Sequence, residues 1–83
     1  MKAEDQNVIR SMETRDLIRY ALYNQLCMKP IPQMEWAHKE LIEVVTDELA
    51  IRNVYVDITE WQAITADGQL DHFVNTKTQQ EIY

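Results

Sequence analysis

Between Met34 and Arg52 the apolar residues recur with a helical period. Projected at about 3.6 residues per turn, Met34, Ala37, His38, Leu41, Ile42, Val44, Val45 and Leu49 fall on one broad arc, the stripe of a helix that packs on a core. The opposite side carries Trp36, Glu40, Glu43 and Asp47 at i, i+4, i+7 and i+11, an exposed aromatic followed by three carboxylates along one ridge. Glu43 and Asp47 repel each other at i+4 by a few tenths of a kcal/mol, whereas Glu35 with Lys39 and Glu48 with Arg52 are favourable pairs. Folding does not require such a ridge, which makes Trp36, Glu40, Glu43 and Asp47 the candidate partner-binding residues.

Upstream, Ala3 to Met28 are helix formers without glycine or proline, but the apolar phase changes partway. Val8, Ile9 and Met12 occupy one side. Leu17, Ile18, Ala21, Leu22, Leu26 and Met28 wrap most of the circumference later on, leaving Asp16, Arg19 and Tyr23 as a narrow polar strip. A helix apolar over that much of its surface is covered from two sides, which places residues 15–28 in the middle of the domain. A bend is expected near residues 11–14, with Ser11 or Thr14 as N-cap. Pro30 and Pro32 then end the helix.

After Asn53 the period switches to two. Val54, Val56 and Ile58 alternate with Tyr55, Asp57 and Thr59, as in a half-buried strand. The phase slips between Ile58 and Trp61, which a bulge, a turn or one helical turn would explain. Asp67-Gly68 is the strongest hairpin signal, because a type I′ turn needs positive φ at both central residues. As a two-residue loop it pairs Thr65 with Leu70, Ala63 with His72 and Trp61 with Val74. A second turn over residues 75–78 and a final strand over 79–83 would set His72 opposite Glu81 and Tyr83 opposite Leu70. The pattern predicts an α+β fold: helices over about 3–28 and 34–52 packed on a three-stranded antiparallel meander over about 54–83.

Residues 60–83 are locally similar to a WW domain, which also has an early Trp, an aromatic-aromatic-x-Asn strand, a Thr three residues later and a closing Trp. Trp61, Phe73, Asn75 and Thr78 match in kind. His72 stands where the family's groove Tyr belongs, Tyr83 replaces the second Trp, and Gln80 replaces the Ser or Thr five residues past the Asn. The resemblance therefore implies an antiparallel meander and not Pro-rich peptide binding, and it is short of membership.

Composition narrows the rest. At 83 residues the chain suits one domain with one modest core, and 46% apolar residues with one Gly and two Pro describe a folded chain with few loops. Fourteen acidic against eight basic residues leave a formal charge of −6, which repels phosphate backbones and favours a partner with a basic surface. Cys27 is the single cysteine, so a reducing, cytoplasmic setting is expected, and no apolar run approaches the roughly 18 residues of a membrane span.

Candidate chemistry is sparse. Ser11 lacks a nucleophile-elbow context, Cys27 sits in a stretch read as buried helix, and His38 lies on the apolar side of its helix. Cys27, His38 and His72 are isolated, one glycine excludes most phosphate cradles, and Asp57 with Glu60 reads as edge charge. No enzyme, cofactor or metal site is expected. The chain reads as an acidic protein-binding module, an adaptor or inhibitor, in its sharpest version a phage-type inhibitor that presents carboxylates to a basic, nucleic-acid-binding site. The alternative is a winged-helix-like DNA-binding regulator, whose outline of helices followed by a hairpin is present. Its recognition helix would, however, expose Glu40, Glu43 and Asp47, which makes direct nucleic-acid binding unfavourable. A final strand ending at Tyr83 would also leave an edge where two copies pair as a homodimer.

Overall fold

The helix formers at the N-terminus build two α-helices joined by a tight break in the computed structural model, which describes residues 3–83. Helix α1 spans Ala3–Ser11 and α2 spans Thr14–Leu22. The break lies where the apolar phase changes, but neither Ser11 nor Thr14 caps α2. Glu13 holds the N-cap position without a side-chain bond. The Ser11 hydroxyl donates back to the Asn7 carbonyl at 2.8 Å, and Thr14 Oγ1 accepts from the Arg52 guanidinium at 3.3 Å. Back-bonding and a long-range partner have taken both hydroxyls.

Past Leu22 the helix widens into a π turn over Tyr23–Cys27, closed by the Met28 N–H on the Tyr23 carbonyl at 3.1 Å. Asn24 is buried there and its side-chain amide donates to the Tyr20 carbonyl at 2.8 Å. The expected regular helix to residue 28 thus stops at Leu22, and the wider turn carries Cys27 and Met28 to the surface. The sheltered thiol is corrected accordingly: Cys27 is exposed.

Pro32 opens one 3₁₀ turn to Met34, where its fixed φ and missing N–H are harmless, and α3 runs Glu35–Ile51. It ends on Asn53 at φ 59°. Val54 N–H donates to Leu49 and Asn53 N–H to Ala50, each at 2.9 Å, a Schellman closure in which Asn stands in for the usual glycine. The Arg52 guanidinium reaches back to the end of α1. It donates to the Met12 carbonyl at 2.7 Å and the Arg10 carbonyl at 3.0 Å, while Nε pairs with Glu48 at 3.1 Å.

Residues 54–57 alternate in burial, with Val54 and Val56 turned inward, yet they belong to no strand. Alternation there reports one-sided burial, not pairing. A 3₁₀ turn over Ile58–Glu60 then absorbs the phase slip, capped by Asp57, whose carboxylate accepts from the Thr59 amide at 2.9 Å and hydroxyl at 2.6 Å. Strands β1 (Trp61–Ala66), β2 (Gln69–Asn75) and β3 (Glu81–Ile82) follow as an antiparallel sheet in the order β1-β2-β3.

Asp67 and Gly68 take φ 54° and 77°, the type I′ signature, and Thr65 pairs with Leu70 as expected. Beyond that pair the register shifts. Ile64 pairs with His72, Ala63 with Phe73 and Trp61 with Asn75, so Asp71 is the extra residue of a β-bulge. Without the bulge Phe73 would face away from the helices; with it, Leu70 and Phe73 both turn inward beside Trp61, and Val74 does not. Asn75 then folds the second turn by accepting the amides of Lys77 at 2.8 Å and Thr78 at 2.9 Å on Oδ1. This turn sets Val74 opposite Glu81 and Phe73 opposite Ile82, two residues away from the expected register. His72 consequently meets Tyr83 and not Glu81, ring on ring at 4.6 Å.

The core has two lobes. Ile9, Leu17, Ala21, Val45 and Leu49 close the helical lobe, while Leu22, Trp61, Phe73 and Ile82 close the lobe between α2 and the sheet. Ile18 and Val56 pack against both, so α2 is covered from two sides and occupies the middle of an α+β fold. No helix among the described residues is long and apolar enough to cross a membrane.

Candidate functional site

Helix α1 is nine residues long and crosses α3 at Ile9, the one lining residue shared by the grooves on its two sides. The larger groove opens toward the N-terminal half of α3, about 730 Å³ in volume. Val8 of α1 and Met12 just past its end wall one side, Trp36, Ala37 and Leu41 of α3 the other, and Tyr20 of α2 also lines it. Among the described residues its charged lining, Asp5 and Glu40, is acidic. Trp36 is 70% exposed and Val8 63% exposed. Neither side chain contributes to the core, although Val8 reads from its neighbour Ile9 as a core residue.

The ridge predicted on α3 divides between two places. Trp36 and Glu40 stand in the wall of the large groove with Asp5, and Asp47 lines the smaller groove beyond α1 beside Arg10, Glu48 and Ile51. Glu43 is exposed between them. Glu40 is half-buried, unlike Glu43 and Asp47. Asp5, Val8, Met12 and Tyr20 join the site without having been legible as part of it. The available signal was Val8 beside Ile9, two bulky neighbours about 100° apart on a helix that buries only one of them.

A second apolar groove of about 320 Å³ flanks α3 on its other side. Met28, Ile31, Met34 and the half-buried His38 line it, and it shares Ala37 and Leu41 with the first. Val8, Met28, Ile31, Met34 and Trp36, five of the nine exposed large apolar side chains among the described residues, therefore border the two grooves flanking the N-terminal half of α3. Such a concentration is what distinguishes an interaction surface from the scattered apolar residues of any exterior.

Several titratable groups away from the groove are engaged within the fold. Asp57 is spent as a cap, and the Thr59 hydroxyl, followed by its amide, holds the carboxyl below its usual 3.8. Glu60 lies 3.6 Å from Lys77. On the outer side of the sheet His72 Nδ1 sits 2.6 Å from an Asp71 carboxylate oxygen, and the Tyr83 hydroxyl donates to Glu81 at 3.0 Å. That bond, reinforced by the Glu81 charge, raises the phenol above its usual 10.0. Among the described residues no group of three or more His, Cys, Asp or Glu side chains comes together as a metal site.

No protein-family model matches the chain, and no curated protein or solved structure is significantly similar to it.

Proposed function

We propose that this chain is a non-catalytic protein-binding module, an adaptor or inhibitor, that works through the α1–α3 groove. The observation that carries the proposal is Trp36, 70% exposed in the wall of the apolar α1–α3 groove. A Trp left in water adds nothing to the fold and supplies the large, rigid contact area typical of binding hot spots. Glu40, Glu43 and Asp47 would steer a partner with a basic surface, including a nucleic-acid-binding protein whose phosphate site the carboxylates fill. The DNA-binding alternative has less support. Arg52 is occupied by the end of α1, and the exposed face of α3 is acidic. An exposed Cys27 thiol is in keeping with a reducing, cytoplasmic setting.

The test is a photo-crosslinking residue at position 36, irradiated in lysate of cells that express the protein, with a Glu40, Glu43, Asp47 charge reversal as control. A discrete crosslinked protein, reduced by the reversal, supports the reading. No crosslink above that of a probe placed at exposed Gln62, or a salt-sensitive shift of duplex DNA instead, would refute it.

A further inference from the structure

We infer that the α1–α3 groove takes an amphipathic helix from its partner, apolar side chains down and lysines or arginines at the rim; this rests on the protein-binding reading above. The groove is walled mainly by helical residues, whose backbone N–H and C=O groups are for the most part paired within the helices. An extended peptide would find no ladder to join, whereas a helix brings its own hydrogen bonds and needs only an apolar channel. At about 730 Å³, the groove between Val8, Met12, Trp36 and Leu41 can receive large side chains spaced at i, i+3 or i+4, and i+7. Met12 supplies an adaptable surface within it.

Charge then selects the occupant. Asp5 and Glu40 flank the apolar lining, Glu43 and Asp47 continue the acidic face along α3, and the chain carries a formal charge of −6. A second copy would bring the same carboxylates against this rim, whereas a helix with a basic margin is attracted to it.

The probe is a synthetic leucine–lysine peptide of about 18 residues with helical periodicity. Its comparison is an isomer of identical composition and no periodicity, and binding is followed by ¹H–¹⁵N spectra including the Trp36 indole. The periodic peptide should perturb Val8, Met12, Trp36, Ala37 and Leu41 and bind at least about tenfold more tightly than the aperiodic isomer. Ala37→Trp, which fills the groove, and separately Asp5→Lys with Glu40→Lys should each weaken binding about tenfold. Because Ala37→Trp can disturb packing, the rim pair, with circular dichroism unchanged, is the decisive variant. Equal binding of both peptides, shifts confined to Glu43 and Asp47, or indifference to the rim reversal would overturn the proposal. A crosslinked partner at position 36 together with an untouched groove would sink the helical occupant alone; failure of both experiments would sink the protein-binding reading itself.

Discussion

Replacing Arg52 by alanine is the sharpest test of how the helical layer is held. The guanidinium serves two carbonyls at the end of α1, those of Met12 and Arg10, at 2.7 and 3.0 Å, and adds a longer bond to Thr14 at 3.3 Å. Those carbonyls lie where a helix has no further N–H of its own to offer. A hydrogen bond to a charged group contributes about 1.5–3 kcal/mol, and the i,i+4 pair with Glu48 only about 0.3–0.5. The Arg52 side chain is 19% exposed, so water recovers part of the loss once it is gone. The expected cost of Arg52→Ala is about 2–4 kcal/mol, a large share of the roughly 5–15 kcal/mol typical of small domains. At about 4–8 °C per kcal/mol for a chain of this size, the midpoint should fall by about 8–32 °C.

Urea unfolding followed by circular dichroism measures the loss, and hydrogen exchange locates it in α1. Arg52→Lys should recover half of the loss or less, because one ammonium cannot span the carbonyls and Glu48 as the planar fork does. Glu48→Ala, which leaves the carbonyl bonds in place, should cost about 0.5 kcal/mol. If Glu48→Ala is as damaging as Arg52→Ala, or if Arg52→Ala costs under about 1 kcal/mol, the α1 carbonyls are not what Arg52 holds.

Asn75→Ala strips the acceptor from two turn amides and should destabilise by about 1–3 kcal/mol in urea unfolding, whereas Asn75→Asp keeps the acceptor and most of the stability. Asp57 has its folded pKa depressed, so its contribution is present above the usual 3.8 and lost as pH falls through the lower folded value. The stability gap between wild type and Asp57→Ala, read from urea midpoints, should therefore persist at neutral pH and close on acidification below 3.8. Cys27 should react with an aromatic disulfide reagent in the native protein within about tenfold of a free thiol's rate; a thiol released only by denaturant would contradict the π turn. Trp36→Ala should change stability by no more than about 0.5 kcal/mol, checked by the same urea curves.

Periodicity was informative wherever one local rule decided the outcome. The stripe of α3, the turn at Asp67-Gly68 and the two-sided burial of α2 all follow from spacing and backbone preference. Registers and helix ends depended on residues far apart in the chain. The bulge at Asp71 exists because the core takes both Leu70 and Phe73, three positions apart, which strict alternation forbids. The π turn carries Cys27 outward while the buried Asn24 donates to the Tyr20 carbonyl, a role invisible in an apolar run. Arg52 was legible as the partner of Glu48, but its bonds to the end of α1 cross some forty residues of chain.

The candidate site was legible by half for the same reason. Position on a wheel identifies Trp36 and Glu40 as facing away from the core of α3, yet the groove depends on how α1 lies against α3. Crossing at Ile9, a nine-residue helix buries one apolar side chain there and leaves Val8 63% exposed. Arg52 fixes the C-terminal end of that helix from beneath, through Arg10 and Met12, and Met12 itself lines the groove. The clamp and the groove are therefore one arrangement: Arg52 ties the chain at Met12, the same residue that lines the groove. Arg52→Lys, if it loosens α1 without unfolding the sheet, should weaken any groove ligand while the Trp36 surface remains intact, which separates the geometry of the groove from the chemistry of its wall.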